Sequence, residues 1–168
     1  MSFEEINIRQ AAGNAVKMIN DDWALVTAGD REKWNTMTVS WGGLGELWRR
    51  DAAFIFIRPQ RYTREFIEKQ ELFTVSFFAG GFKKELALCG AKSGRDIDKA
   101  AATGLVPVFE DGAVFFEQAN LVLVCRKIAF QDINPAGFLD ETIEENYPSK
   151  DYHRMYVGEI TKTYRKTD

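Results

Sequence analysis

The stretch from Trp34 to Thr63 leaves this chain few ways to fold. Thr36, Thr38 and Ser40 recur at period two, the side-chain repeat of a β-strand, so their hydroxyls share one face while Met37, Val39 and Trp41 share the other. One face suits an anionic ligand and the other a core. Gly42-Gly43-Leu44-Gly45 follows as a glycine-loosened loop, and Ala53 to Ile57 is a continuous apolar run of strand type. That run stops at Arg58-Pro59, because proline has no N–H to give to a central strand. With Thr63 as the cap of the helix that follows, free backbone donors, Arg58 and Arg61 converge near one point, the arrangement a phosphate needs.

The rest of the chain continues in short β-type runs. Residues 3 to 8 alternate weakly and suit an edge strand, and Ala15, Val16, Met18 and Ile19 suit one short amphipathic helix. Trp23 to Ala28 reads as a strand and Gly29-Asp30-Arg31-Glu32 as the turn before Trp34. Beyond Thr63 a helix to Glu71 turns Phe66 and Ile67 inward, Leu72 to Phe78 returns as a strand, and Lys83 to Cys89 is a helical patch. Ser93 precedes Asp96 by three residues, the spacing of a capping box, before an Ile97, Ala100, Ala101 face that Gly104 ends. Glu110-Asp111-Gly112 marks a hairpin, Asn120 to Phe130 a long apolar strand, 135–148 an acidic turn-rich connection and Met155 to Tyr164 a closing strand. About seven strands without βα alternation make this a mainly β chain, an antiparallel barrel with short helical insertions, in a single domain over 1–168.

Several function classes drop out. Gly42-Gly43-Leu44-Gly45 is no dinucleotide fingerprint, since the third glycine of G-x-G-x-x-G would fall on Trp48 and a hairpin strand precedes it. No G-x-x-x-x-G-K-[ST] loop is present. A net charge of -3 without a dense basic block argues against nucleic acid, and no run approaches the roughly 20 apolar residues of a membrane span. MSFEEINIRQ has neither a basic n-region nor an apolar h-region, which points to a cytoplasmic protein. Cys89 and Cys125 lie far apart in no metal-like spacing, and His153 is the only histidine, so no metal site is expected.

Asn35-Thr36-Met37-Thr38-x-Ser40-Trp41-Gly42 followed by Arg58-Pro59-Gln60-Arg61-Tyr62-Thr63 resembles the flavin reductase-like family of FMN-binding split barrels, and within it the flavoredoxin branch. The resemblance runs from about Asp22 to Ile160. It implies a six-stranded Greek-key split barrel that pairs as a homodimer with FMN at the interface. It also implies an FMN-binding oxidoreductase that takes hydride from NAD(P)H, or a flavoredoxin-like carrier that exchanges electrons with partner proteins. FMN is preferred over FAD because no adenylate-binding fingerprint is present.

The resemblance carries the cofactor site onto Asn35, Thr36, Met37, Thr38, Ser40 and Trp41, and onto Arg58, Pro59, Gln60, Arg61, Tyr62 and Thr63. Arg58 and Gln60 are expected near the polar edge of the flavin ring, where a positive charge would offset the charge gained on reduction and raise the potential. Cys89-Gly90-x-x-Ser93-Gly94-Arg95-Asp96-x-Asp98-Lys99 is similar to a further family stretch, which adds Ser93, Gly94, Arg95 and Lys99, with Cys89 in contact at most. Asp151-Tyr152-His153-x-x-x-x-Gly158 is similar to the family's Gly-Asp-His-x-x-x-x-Gly, with the first glycine missing and the aspartate displaced by one residue. His153 is the one catalytic candidate. Each group also has an ordinary reading: a polar strand face, a solvated turn, a capped helix and a hydrogen-bonded histidine.

Overall fold

The computed structural model describes residues 2–11 and 13–167. The N-terminal alternation forms strand β1 (Ser2–Ile6), and one helical turn, α1 (Ala15–Lys17), runs on into a wider turn over Met18–Asp22. Ile19 enters the core there while Val16 is 76% exposed, so the amphipathic helix expected in this segment has a narrow apolar face.

Strands β2 (Ala24–Gly29) and β3 (Trp34–Val39) form the expected hairpin, closed by the Asp30 carboxylate accepting from the N–H groups of Glu32 and Lys33. The glycine stretch is a strand and not a loop. β4 (Gly42–Leu47) pairs with β5 (Arg50–Ile57) at the end of the sheet. Phe54 stands opposite Gly43, and its ring lies 3.8 to 3.9 Å from where side chains on Gly43 and Gly45 would begin, so a cross-strand aromatic covers what the glycines lack. The turn joining these strands holds Trp48 and Arg49 at φ 54° and 60°, a conformation that two-residue hairpins usually give to Asn-Gly.

After α2 (Tyr62–Lys69) come β6 (Leu72–Phe77), α3 (Lys83–Ala91), α4 (Lys99–Thr103), the small hairpin β7 (Pro107–Glu110) and β8 (Ala113–Phe116), and the long strands β9 (Leu121–Asp132) and β10 (Arg154–Thr167). All pairings are antiparallel along the path β3-β2-β6-β9-β10-β5-β4. β10 carries β5 along its first half and β1 along its second, bending at irregularities after Val157 and Ile160. At Gly158 a side chain would begin 2.7 Å from Cys125 Cβ, so only glycine lets the strands cross this closely.

Six strands, β2, β3, β5, β6, β9 and β10, send alternate residues into one core, and Phe66 and Ile67 of α2 plug it. Burying each of those two side chains contributes roughly 1.5–3 kcal/mol. A second apolar cluster, with Leu25, Val122 and Val124 from the other face of the sheet, lies beneath α3 and the β7–β8 hairpin. The result is a mainly β split barrel. Among the described residues no ladder joins β3 to β5, although Met37 and Val39 share the core with Ala53, Ile55 and Ile57. No helix of the described residues is long and apolar enough to cross a membrane.

Candidate functional site

The open seam between β3 and β5 is where the predicted residues gather. Lys99 Nζ donates to the Thr36 carbonyl at 2.6 Å, so that carbonyl points away from β2. The Thr27 and Thr36 hydroxyls meet at 2.8 Å, as side chains do in a pair that exchanges no backbone bonds. By the same alternation, the N–H and C=O of Thr38 also face the open edge. About 180 Å³ of space lies against that edge, lined by residues 37–41, Phe56, Arg58, Arg61 and His153. A second space of about 420 Å³ adjoins it, sharing Met37, Arg58 and Arg61, and is bounded by Asn35, Gln60, Tyr62, Thr63, residues 91–94, Lys99 and Asp151.

Two of the three hydroxyls are spent inside the fold, while Ser40 lines the smaller chamber. Thr36 Oγ1 bonds to Thr27 and to the Val26 carbonyl, and Thr38 Oγ1 donates to the Leu86 carbonyl of α3. An anionic ligand therefore does not meet these hydroxyls. The strand offers its backbone edge to the seam, and its Thr38 hydroxyl to a helix.

The larger chamber is built for negative charge. α2 begins at Tyr62 with Arg61 as its N-cap, one turn being set by Arg61 N–H on the Arg58 carbonyl at 3.2 Å. Thr63 is thus not the cap: it sits inside the first turn, where its hydroxyl accepts from Asn35 Nδ2 at 2.8 Å. No side chain caps this end, so the first backbone donors of α2 stay free for a ligand. Arg61, half-buried, bonds only to the Gly90 carbonyl at 2.6 Å, and Lys99, 6% exposed, bonds to the Thr36 and Cys89 carbonyls. Among the described residues neither has a carboxylate partner. A buried and a half-buried cation compensated by dipoles alone are costly in a fold, and an anion beside them offsets the cost. Burial depresses the Lys99 pKa to about 8, the Cys89 thiol opposing and Arg61 adding to the depression. Arg61 is likewise held below its usual range by burial and by Arg58.

Ser93 does not cap a helix. Its carbonyl accepts from Asp96 and Ile97 in a turn, and Asp98 caps α4 by accepting from Ala101 N–H, so the helix starts at Lys99. The turn exists to bring Gly94 against Asn35. A side chain at Gly94 would overlap the Asn35 amide, which in turn holds Thr63.

Arg61 apart, the titratable groups around the smaller chamber are paired or held neutral, and two of its walls are aromatic. The Trp41 and His153 rings lie 5.1 Å apart, and His153 Nδ1 meets the Tyr147 hydroxyl at 2.9 Å. Burial, with the Arg58 charge, drives the His153 pKa down to about 4 against the pull of Asp151. Arg58 carries no free charge into this space: Nη1 donates to Asp151 at 2.7 Å and Nη2 to the Asn146 carbonyl at 2.8 Å. Gln60 Nε2 holds the second Asp151 oxygen at 2.6 Å.

Of the residues singled out in sequence, Thr36, Pro59, Cys89 and Arg95 line neither chamber. Thr36 and Cys89 contribute carbonyls that hold Lys99, Pro59 shapes the turn, and Arg95 packs over the Tyr62 ring and pairs with Glu65. The other candidates border one chamber or both. Asp151 was visible only as a displaced motif residue, and Phe56 and Tyr147 had no sequence signal: one is an outward position in an apolar run, the other one tyrosine in an acidic loop.

Comparison with known proteins agrees with this architecture. The chain resembles the flavoredoxin of Methanosarcina acetivorans at 22% identity and a TM-score of 0.67, over 86% of this chain and 68% of that one. It resembles an FMN-binding domain of a flavin reductases-like enzyme from Shewanella baltica at 17% identity and a TM-score of 0.70, over 98% and 77%. An NADH:FAD oxidoreductase of Streptomyces globisporus follows at 17% identity and 0.65, over 86% and 74%. These likenesses establish the fold. No curated protein sequence matches the chain at a significant level. The sequence model described as flavin reductase like domain matches residues 19–168, nearly the whole length, and the chain belongs to that family.

Proposed function

We propose that this chain is an FMN-binding oxidoreductase that accepts hydride from NAD(P)H, acting as one domain and as a homodimer. The observation that carries the reading is the pair of adjoining chambers along the split seam. One has an open strand edge and aromatic walls, suited to a planar ring with its own donors and acceptors. The other has two unpaired cations and an uncapped helix start, suited to a phosphate.

A bound flavin would supply the hydride chemistry. Asn35 and Gly94 would shape the wall beside the phosphate end, Arg61, Lys99 and the α2 amides would neutralise it, and Thr38 would pair with the ring edge. Trp41 and His153 would border the ring. No acid–base pair is needed from the protein, because hydride transfer between two cofactors depends on stacking and orientation. The absence of an adenylate-binding fingerprint favours FMN over FAD, although one structural neighbour is described as acting on FAD. Half-exposed Trp41 at the rim is a surface that a second copy would cover.

A second reading rests on the likeness to flavoredoxin: the flavin stays bound and electrons pass to protein partners. One experiment separates the two. The purified protein is mixed with FMN, freed of excess, and titrated anaerobically with NADH and then NADPH while the oxidised-flavin absorbance is followed. Bleaching by either nucleotide alone supports direct hydride transfer and names the donor. Retained flavin that bleaches only with dithionite supports the carrier, and no uptake of added FMN at all removes both readings.

A further inference from the structure

His153 is the sole histidine of the chain, and its two ring nitrogens face different surroundings. Nδ1 lies 2.9 Å from the Tyr147 hydroxyl, in a pocket where Tyr147 is 4% and His153 7% exposed. The buried side-chain nitrogens and oxygens without a partner, among the described residues, are Ser76 Oγ and Glu85 Oε2. Among the described residues Nε2 has no protein partner and is not one of these atoms, so it retains accessible surface. The ring borders the smaller chamber.

The direction of the Tyr147–His153 bond follows from what each proton would otherwise lose. A proton on Nδ1 would make the imidazole the donor, and the Tyr147 O–H, buried and with no other acceptor, would be left unmatched at a cost of a full desolvated hydroxyl. With Tyr147 donating, its proton and the Nδ1 lone pair satisfy each other, and the remaining imidazole proton sits on Nε2. The surroundings keep the ring neutral. Arg58 lies over the Tyr147 ring at 5.0 Å, and Arg58 and Arg61 both border the chamber that His153 faces.

We propose that Tyr147 is a positioning residue that fixes His153 as a neutral Nε2–H donor aimed into the ring chamber, where it grips an acceptor atom of a planar heteroaromatic ligand. The ligand clause rests on the flavin reading; the tautomer clause does not. His153 on this account is a hydrogen-bond donor and not a source of protons. A ligand entering the chamber meets donors from Arg61, His153 and the Thr38 N–H, with the Thr38 carbonyl as an acceptor, so the ring it accepts must present carbonyl oxygens or unprotonated nitrogens together with a donor of its own.

A single histidine makes the test direct, since nitrogen-detected NMR of the imidazole of the full chain shows one pair of resonances. In the ligand-free protein at neutral pH the expected spectrum has Nε2 protonated and Nδ1 unprotonated but shifted by an accepted hydrogen bond. Tyr147→Phe, which keeps the ring and removes the hydroxyl, is expected to move Nδ1 toward its unbonded position and to relax a tautomer bias of about fivefold, the worth of one net hydrogen bond. A proton on Nδ1 in the wild type overturns the proposal without need of any variant, and so does an unchanged nitrogen pair in a folded Tyr147→Phe protein. FMN is then added. A moved Nε2–H resonance supports the ligand clause; retained flavin with an unmoved Nε2–H removes that clause and leaves the flavin reading intact. Absence of flavin uptake removes the flavin reading and its ligand clause together, while the tautomer result stands or falls on the ligand-free spectrum.

Discussion

Asp151 reaches Arg58 from the far end of the 133–153 connection, its Oδ1 accepting from Nη1 at 2.7 Å with both side chains largely buried. Gln60 takes the other oxygen at 2.6 Å, and these bonds hold the Asp151 carboxyl below the usual carboxylate range, Gln60 contributing most. The pair ties the last loop before β10 to the turn before α2, and it sets the charge that a ring in the seam would feel.

Cutting that pair should therefore move a flavin's potential in a known direction. Asp151→Asn leaves Arg58 uncompensated and is expected to raise the midpoint potential by about 20–40 mV, corresponding to roughly 1–2 kcal/mol for a two-electron couple. Arg58→Ala leaves Asp151 uncompensated and is expected to lower it by a similar amount. Dye-equilibrated reduction of the FMN-loaded variants measures both, and equal potentials would take Arg58 out of the ring's surroundings.

Lys99 gives the binding a pH signature. Its pKa of about 8 in the ligand-free protein rises when an anion sits beside it, so binding takes up a proton above pH 8. FMN affinity should be flat below that pH and fall by about tenfold per unit above it. Fluorescence titration from pH 6.5 to 9.5 follows this. Lys99→Met, which keeps the length of the side chain, should weaken FMN by about 10- to 100-fold and abolish the slope.

Acid should act on the fold through His153. The group titrates near 4 when folded and near 6.5 when unfolded, so between those values the unfolded chain binds the extra proton and stability falls as pH drops. The loss is on the order of 2–3 kcal/mol across that window. Urea midpoints at pH 7 and pH 4.5 should differ more in the wild type than in His153→Gln, and matching differences would count against a buried neutral imidazole.

The tip of the β4–β5 hairpin is a site for added stability. Trp48 is 61% exposed and both it and Arg49 hold a left-handed backbone that side chains disfavour. Trp48→Asn with Arg49→Gly should raise the unfolding free energy by about 1 kcal/mol, read from the urea midpoint, since the new residues suit the turn already present. A lower midpoint would mean that Trp48 packs against something worth more than the strain.

The strand positions were legible because their signals are local. Period two in Thr36 to Ser40, the stop at Arg58-Pro59 and the Asp111-Gly112 turn each dictate backbone shape within a few residues. What sequence misassigned depended on partners elsewhere. Gly42 to Gly45 is a strand with Phe54 covering it, the Thr38 hydroxyl is lost because α3 brings the Leu86 carbonyl onto it, and Arg58 is charge-paired because Asp151 arrives from 93 residues away. Cap positions failed for a related reason: Ser93 and Asp98 both carry capping side chains, and the close approach of Gly94 to Asn35 decides which one starts the helix.

The seam also changes what kind of component the cofactor is. Among the described residues every other stave of the barrel has a strand on both sides, whereas β3 keeps one edge with no strand beside it, met only by Lys99 at the Thr36 carbonyl. A molecule that pairs there acts as the last rung of a ladder, and its departure would return to solvent a row of amides beside a core of methionine and valine. Loading would then be part of maturation, and an unloaded chain would be the form most exposed to strand exchange with its own copies.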